Sequence, residues 1–214
     1  DAQKNGLDIT TEVYPYTAAS TSLESVLFDE GWKETLSITY EDLQWEATGE
    51  RLNSTTFYEY RKEGGTIIIH MMKPEWIKKG VSHPVTMIAS DGMPYAPGAH
   101  PRTAGTFSRV LGKYVRKERV MDLMTALEKM TIMPAKRLEG IAPAMSRKGR
   151  LQVGADADIT IFNARTIIDQ ADFKGLKYSK GVEHVLVNGV LVVSDGKNVK
   201  NIYPGMPILG KYRK

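Results

Sequence analysis

The sequence reads as an α/β chain over residues 1–148 followed by a small β part over residues 149–214. Three observations predict this. Short apolar, β-branched runs in the first part are separated by stretches of helical periodicity, the pattern of strands and helices packed in layers. One of those runs, residues 85–89, passes directly into Ser90-Asp91-Gly92 and then into a long Gly- and Pro-rich loop. From Gly149 the texture turns to β, and Asn188-Gly189 joins two apolar runs, the strongest short-range hairpin signal.

Residues 7–14 (LDITTEVY) alternate and are rich in β-branched side chains, which predicts a strand ended by Pro15. Residues 23–63 are acidic and aromatic with weak helical periodicity around Trp32 and Leu43; they read as an inserted, partly helical segment. Residues 66–71 (TIIIHM) predict a short buried strand, and residues 75–79 a helix closed at Gly80. Residues 85–89 predict another strand, and residues 93–105 a polar loop. Two helices follow, over 107–117 and 120–130; the second has apolar residues at 120, 123, 124, 127 and 130, the helical spacing. Pro134 restarts a short helix to Leu138. In the β part, residues 159–162 form a strand and residues 182–193 two strands joined at Asn188-Gly189, with Asp195-Gly196 ending the second. The opening, Asp1 to Gly6, carries no Met and reads as a loop entering a strand, so the chain is expected to start inside a larger fold.

Composition narrows the function. The chain has 214 residues and no cysteine, which excludes disulfides and cysteine-ligated metal. No apolar run approaches the roughly 20 residues of a membrane span. The formal charge of +4 is mild, but uneven: residues 1–100 carry 8 basic and 15 acidic side chains, a net of −7, and the rest 21 and 10, a net of +11. The basic clusters around Arg109 to Arg119 and Lys136 to Arg150 lack interleaved aromatics, so they read as solvated helix faces rather than a nucleic-acid patch. Neither nucleic acid nor membrane is an expected partner. Cytoplasm is the default compartment for a cysteine-free chain of this class.

Asp91 is the first candidate for chemistry. It sits where an apolar strand meets a loop, the edge at which α/β folds place catalytic groups; a carboxylate there acts as general base or holds a metal, while Ser-Asp-Gly is equally a good turn. Arg102, eleven residues on, lies in a loop expected to close over a pocket, where a guanidinium can clamp a substrate carboxylate. His100 belongs to the same loop. Tyr14, Tyr16 and Ser20 follow the first strand, on the same edge as Asp91, with hydroxyls for a carboxylate or carbonyl. His70, His83, His100 and His184 show no metal-ligand spacing; His70 and His184 read as structural.

These residues fall in motifs that resemble a known family. Glu12-Val13-Tyr14-Pro15-Tyr16-Thr17-Ala18-Ala19-Ser20-Thr21 is similar to a segment of the N-acyl-D-amino-acid deacylases (D-aminoacylases), a branch of the metal-dependent amidohydrolase superfamily. Ala89-Ser90-Asp91-Gly92 and His100-Pro101-Arg102-Thr103-Ala104-Gly105-Thr106-Phe107 resemble the family's active-site aspartate and the loop after it. Lys129-Met130-Thr131, Pro134-Ala135, Gly149-Arg150-Leu151, Gly154-Ala155-Asp156-Ala157-Asp158 and Val185-Leu186-Val187-Asn188-Gly189 resemble its return to a small β domain. Residues 23–63 match poorly.

The resemblance implies that residues 1–148 are the last part of a (β/α)8 amidohydrolase barrel and residues 149–214 an incomplete small β-sandwich domain. It implies zinc-dependent hydrolysis of N-acyl-D-amino acids to a D-amino acid and a carboxylate. Asp91 would be the proton-transferring catalytic residue and a candidate metal ligand; Arg102, Tyr14 and Ser20 would hold the substrate carboxylate, and His100, from the same loop as Arg102, is added as a candidate substrate-binding residue. The family's other metal ligands, a His-x-His, a cysteine and further histidines, have no counterpart here, and a full barrel needs ~250 residues. The chain is therefore expected to be the C-terminal portion of a deacylase, inactive alone, with the rest of the barrel or a second copy as partner. Two alternatives are a hydantoinase- or dihydroorotase-like cyclic amidohydrolase and a non-catalytic partner domain.

Overall fold

The computed structural model describes residues 1–94, 96 and 98–212; within the polar loop expected at 93–105, Tyr95 and Pro97 lie outside the described residues. Among the described residues, three sheets organise the chain. β1 (Thr11–Val13) and β5 (Thr86–Ile88) run parallel, with Thr11 opposite Thr86 and Val13 opposite Ile88. Because the two strands end in register, Tyr14 and Ala89 leave the sheet at the same edge, and Ala89 N–H donates to the Val13 carbonyl at 3.1 Å.

The strand expected over residues 7–14 is shorter than its alternation suggests. Leu7 and Ile9 are 56% and 44% exposed, and β1 is laddered only where β5 lies beside it. A strand-forming pattern without a neighbour to pair and pack against stays irregular.

The segment at residues 23–63 has a core of its own. β2 (Ala19–Ser22) and β3 (Leu43–Trp45) flank β4 (Thr66–Ile69) in an antiparallel sheet. α1 (Trp32–Leu36) and α2 (Ser54–Glu63) cover it, and Leu23, Phe28, Trp32, Leu43, Trp45, Leu52 and Phe57 pack on Ile67 and Ile69. The weak periodicity noted in the sequence hides a fully buried strand, β3. The Asn53 side chain caps α2 by accepting from the Thr55 and Thr56 amides.

The second core joins α3 (Pro74–Ser82), β5, α5 (Leu123–Met130) and the helical stretch that runs on from α4 (Arg102–Arg109), with α6 (Ile132–Glu139) beyond. α4 begins five residues earlier than expected and continues into a π-helical stretch, Val110–Lys117. A Cβ at Gly112 would lie 2.9 Å from Ile168 Cα and against the Ile167 carbonyl, so only glycine lets residues 163–173 cross the π-helix this closely.

The β part forms one antiparallel sheet in the order β6 (Ile159–Phe162), β7 (Val182–Val187), β8 (Val190–Ser194), β9 (Lys197–Asn198). The β7–β8 turn is the Asn188-Gly189 pair, at φ 48° and 77°, as a two-residue turn of this type requires. Between β6 and β7, however, the chain leaves the sheet, and Ile167 is buried in the core with the π-helical stretch and α5.

Candidate active site

The edge shared by β1 and β5 opens on a cleft of about 550 Å³ lined by Glu12, Val13, Tyr14, Met72, Ala89, Ser90 and Asp91. Asp91 follows β5 in the left-handed region (φ 47°), a conformation non-glycine residues adopt at a steric cost and which is common at functional sites. Its carboxylate is 63% exposed.

The loop after Asp91 doubles back. The Thr103 hydroxyl accepts from Met93 N–H and donates to the Met93 carbonyl, both at 3.2 Å, which returns the chain to the start of α4. This brings Arg102 to Asp91: Arg102 Nη2 lies 2.9 Å from Asp91 Oδ2. Arg102 is thus neither a loop residue nor a surface arginine. It sits in the first turn of α4, 2% exposed, with its guanidinium 4.7 Å over the Tyr14 ring and Nη2 donating to the Ser20 carbonyl at 3.3 Å. Among the described residues, two buried polar atoms here have no hydrogen-bond partner, Arg102 Nε and Ser20 Oγ.

Asp91, Arg102, Tyr14 and Ser20 are therefore brought together. His100 takes a different place from the one its loop position suggested. It is 1% exposed, its Nδ1 accepts the Arg102 backbone N–H at 3.1 Å, and its Nε2 meets the Ala18 carbonyl at 2.9 Å. Those partners fix the neutral tautomer with the proton on Nε2. Burial holds the imidazole pKa down to about 3, with Arg102 lowering it further against the Ala18 hydrogen bond. His100 orients α4 and β2 from beneath, and a buried ring with both nitrogens occupied has no free edge for substrate. Burial also raises the Tyr14 pKa, opposed by Arg102 and aided by Asp91, so its hydroxyl remains a donor at neutral pH.

His70 behaves as the sequence suggested, its Nε2 sharing a hydrogen bond with Gln44 Oε1 at 3.0 Å. His184, also read as structural, lies in β7, where its Nδ1 accepts from Asp195 N–H at 3.4 Å. Tyr16 is buried, its hydroxyl donating to Asp169 at 3.2 Å. Three contributors were not foreseen: Met72 on the cleft wall, Phe173 packed edge-on against His70 and His100, and Arg109, which belongs to a cluster read as a solvated face but is ion-paired with Asp169 at 2.8 Å. No local pattern marks them, because each depends on residues far away in sequence.

Among the described residues no group of three or more His, Asp or Glu stands close enough to share a metal ion. Asp91 is paired with a guanidinium, and Glu12 is the one other carboxylate among the described residues that line the cleft. The described residues by themselves do not fit a metal centre.

A curated N-acyl-D-glutamate deacylase of Alcaligenes xylosoxydans xylosoxydans is 35% identical over 201 residues, covering 89% of this chain and 40% of its own length. A D-aminoacylase of that organism is 35% identical over 196 residues, covering 86% and 39%. The chain thus spans about two fifths of the length of these relatives. Among solved structures, an N-acyl-D-glutamate deacylase from Bordetella bronchiseptica, complexed with zinc and a phosphonate mimic of the tetrahedral intermediate, superposes with a TM-score of 0.75 at 32% identity, covering 92% of this chain and 43% of that one. A D-aminoacylase studied for its binuclear metal centre gives a TM-score of 0.76 at 28% identity, covering 94% and 43%. The model of the amidohydrolase family matches residues 51–193, from just before α2 into β8, and with these relatives along most of its length the chain belongs to the amidohydrolase family.

Proposed function

We propose that this chain carries the proton-transfer group and the substrate clamp of an enzyme that hydrolyses N-acyl-D-amino acids to a D-amino acid and a carboxylate. The observation that carries the reading is the buried Arg102, whose Nε, together with Ser20 Oγ, lacks a partner beside the exposed Asp91. A guanidinium removed from water is stabilised only by anions and well-placed acceptors. Asp91 and the Ser20 carbonyl supply two, and the Tyr14 face covers the cation. A substrate α-carboxylate satisfies what is left: one oxygen accepts from Arg102 Nε, the other from the Ser20 and Tyr14 hydroxyls.

Clamped there, the substrate places its amide over the cleft in front of Asp91. The carboxylate takes a proton from the attacking water and returns it to the leaving nitrogen, the work of a general base and then a general acid. The D-configuration and the N-acyl group come from the relatives, which act on N-acyl-D-glutamate and on N-acyl-D-aspartate, alongside D-aminoacylases. We infer zinc as the metal of the complete site from the zinc-bound relative, with Asp91 the ligand assigned from this chain. In the same reading β1 and β5 are strands of the barrel, and β6 to β9 belong to the small β domain.

The test is a pair of ligands titrated into the ¹⁵N-labelled chain: N-acetyl-D-leucine and its amide, which lacks the carboxylate. The acid is expected to shift the Arg102 Nε–H resonance and to bind at least about tenfold more tightly than the amide, a difference of ~1.4 kcal/mol. Equal binding of the two overturns the reading.

A further inference from the structure

Behind the clamp lies a second ion pair, its carboxylate buried, that touches none of the reacting atoms. Asp169, from the crossing segment between β6 and β7, is 5% exposed, and its Oδ2 accepts from Arg109 Nη1 at 2.8 Å and from the Tyr16 hydroxyl at 3.2 Å. Arg109 also donates from Nε to the Pro15 carbonyl at 2.8 Å, and its guanidinium lies 4.5 Å over the Tyr16 ring. The Tyr114 hydroxyl reaches the same carbonyl at 3.4 Å. The two residues after Tyr14 are thus held through the backbone, the ring face and the hydroxyl.

The hold passes on to the clamp. The Tyr16 ring packs edge-on against His100 at 5.5 Å, His100 packs edge-on against Tyr14 at 5.9 Å, and His100 accepts the Arg102 amide. α4 carries both ends of the arrangement, Arg102 in its first turn and Arg109 in its last. Between them, Gly105 leaves the space in which the pair fits: a Cβ there would lie 2.8 Å from Asp169 Cβ.

We propose that Asp169, acting through Arg109 and Tyr16, is a positioning residue for the carboxylate clamp, fixing Tyr14 and Arg102 at the separation a substrate carboxylate requires. The proposal rests on the clamp reading above. It assigns to residues 163–173 a part in substrate recognition, although they sit in the stretch that the sequence presents as a separate β unit.

The experiment compares N-acetyl-D-leucine with its amide on the 214-residue chain and on Asp169→Asn, which keeps an acceptor for Tyr16 but removes the charge facing Arg109. If Asp169 positions the clamp, the variant loses about tenfold in affinity for the acid and nothing for the amide, because the coupling is to the carboxylate-binding groups alone. A folded variant that keeps the acid-over-amide preference of the parent overturns the proposal, and so does an equal loss for both ligands. A parent chain with no preference overturns instead the clamp reading, so the two failures are distinguishable. If Asp169→Asn does not fold, Tyr16→Phe decides: it deletes one hydroxyl, and a two- to threefold loss for the acid alone is expected, against no change if the pair is merely structural.

Discussion

Acidification from pH 7.5 to 5 tests the placement of His100 directly. The folded chain holds this imidazole neutral with a pKa of about 3, whereas the unfolded chain releases it to the ordinary 6.5. Between those values the unfolded state binds the extra proton, so stability falls as the pH drops through 6.5 and the loss is complete near 3. At pH 5 the unfolded imidazole lies one and a half units below its midpoint and the folded one is still neutral, so His100 alone removes about 2 kcal/mol. That is a large part of the roughly 5–15 kcal/mol by which a domain is stable. His70, held down to about 4 chiefly by burial and then by Arg51, adds in the same direction but is less enclosed. Urea denaturation of the parent and of His100→Gln at both pH values isolates the His100 share. At pH 7.5 the variant is expected to be less stable by about 1–3 kcal/mol, since the Arg102 amide loses its buried acceptor. At pH 5 that gap should shrink by about 2 kcal/mol, because glutamine has no proton to bind. A gap of the same size at both pH values would show that His100 titrates normally and is not enclosed as described, and the reasoning would fall.

Other perturbations read other parts of the site. In a longer chain that carries out the hydrolysis proposed above, Asp91→Asn should reduce turnover of N-acetyl-D-leucine by about 10²–10⁴-fold while the ligand still binds, as loss of a proton-transfer group predicts; steady-state kinetics beside a binding isotherm would separate the two. Gly112→Ala should destabilise the chain by about 1–3 kcal/mol through the clash with Ile167 and Ile168, seen as a lower urea midpoint, and an unchanged midpoint would deny the close crossing. Equilibrated with zinc and desalted, the chain alone should retain well under one ion per molecule by elemental analysis, since its described residues offer no cluster of three ligands; a stoichiometric ion would require a different site.

What the sequence discloses and what it hides divide along the range of the interactions. The Asn188-Gly189 turn was legible because two adjacent residues determine it. The shared edge of Tyr14 and Asp91 was legible because each strand ends at its own local signal, Pro15 in one and Ser90-Asp91-Gly92 in the other. The grouping of Arg102 with Asp91 was expected from a loop closing over a pocket, and in the structure it depends on the Thr103 hydroxyl, which ties the start of α4 back to Met93. His100 was assigned to substrate because loop position does not reveal burial; only the arrival of the Ala18 carbonyl, just before β2, at its Nε2 and of the Arg102 amide at its Nδ1 makes it a bracket. β3 escaped notice because a strand buried on both faces shows no alternation. The Arg109–Asp169 pair spans sixty residues of sequence, and no period or motif records a contact of that range.

The crossing of residues 163–173 beneath α4 makes the chain resistant to dissection. A cut near residue 148, where the composition changes most sharply, would separate Arg109 from its counter-ion and remove Ile167 from the core it fills. The excised first part would retain Arg109 on the Pro15 carbonyl without its carboxylate, beside an apolar slot open to water. The architecture is closer to a dovetail joint than to beads on a string: recombining this β sheet with another catalytic unit requires carrying the eleven residues of the tenon along with it.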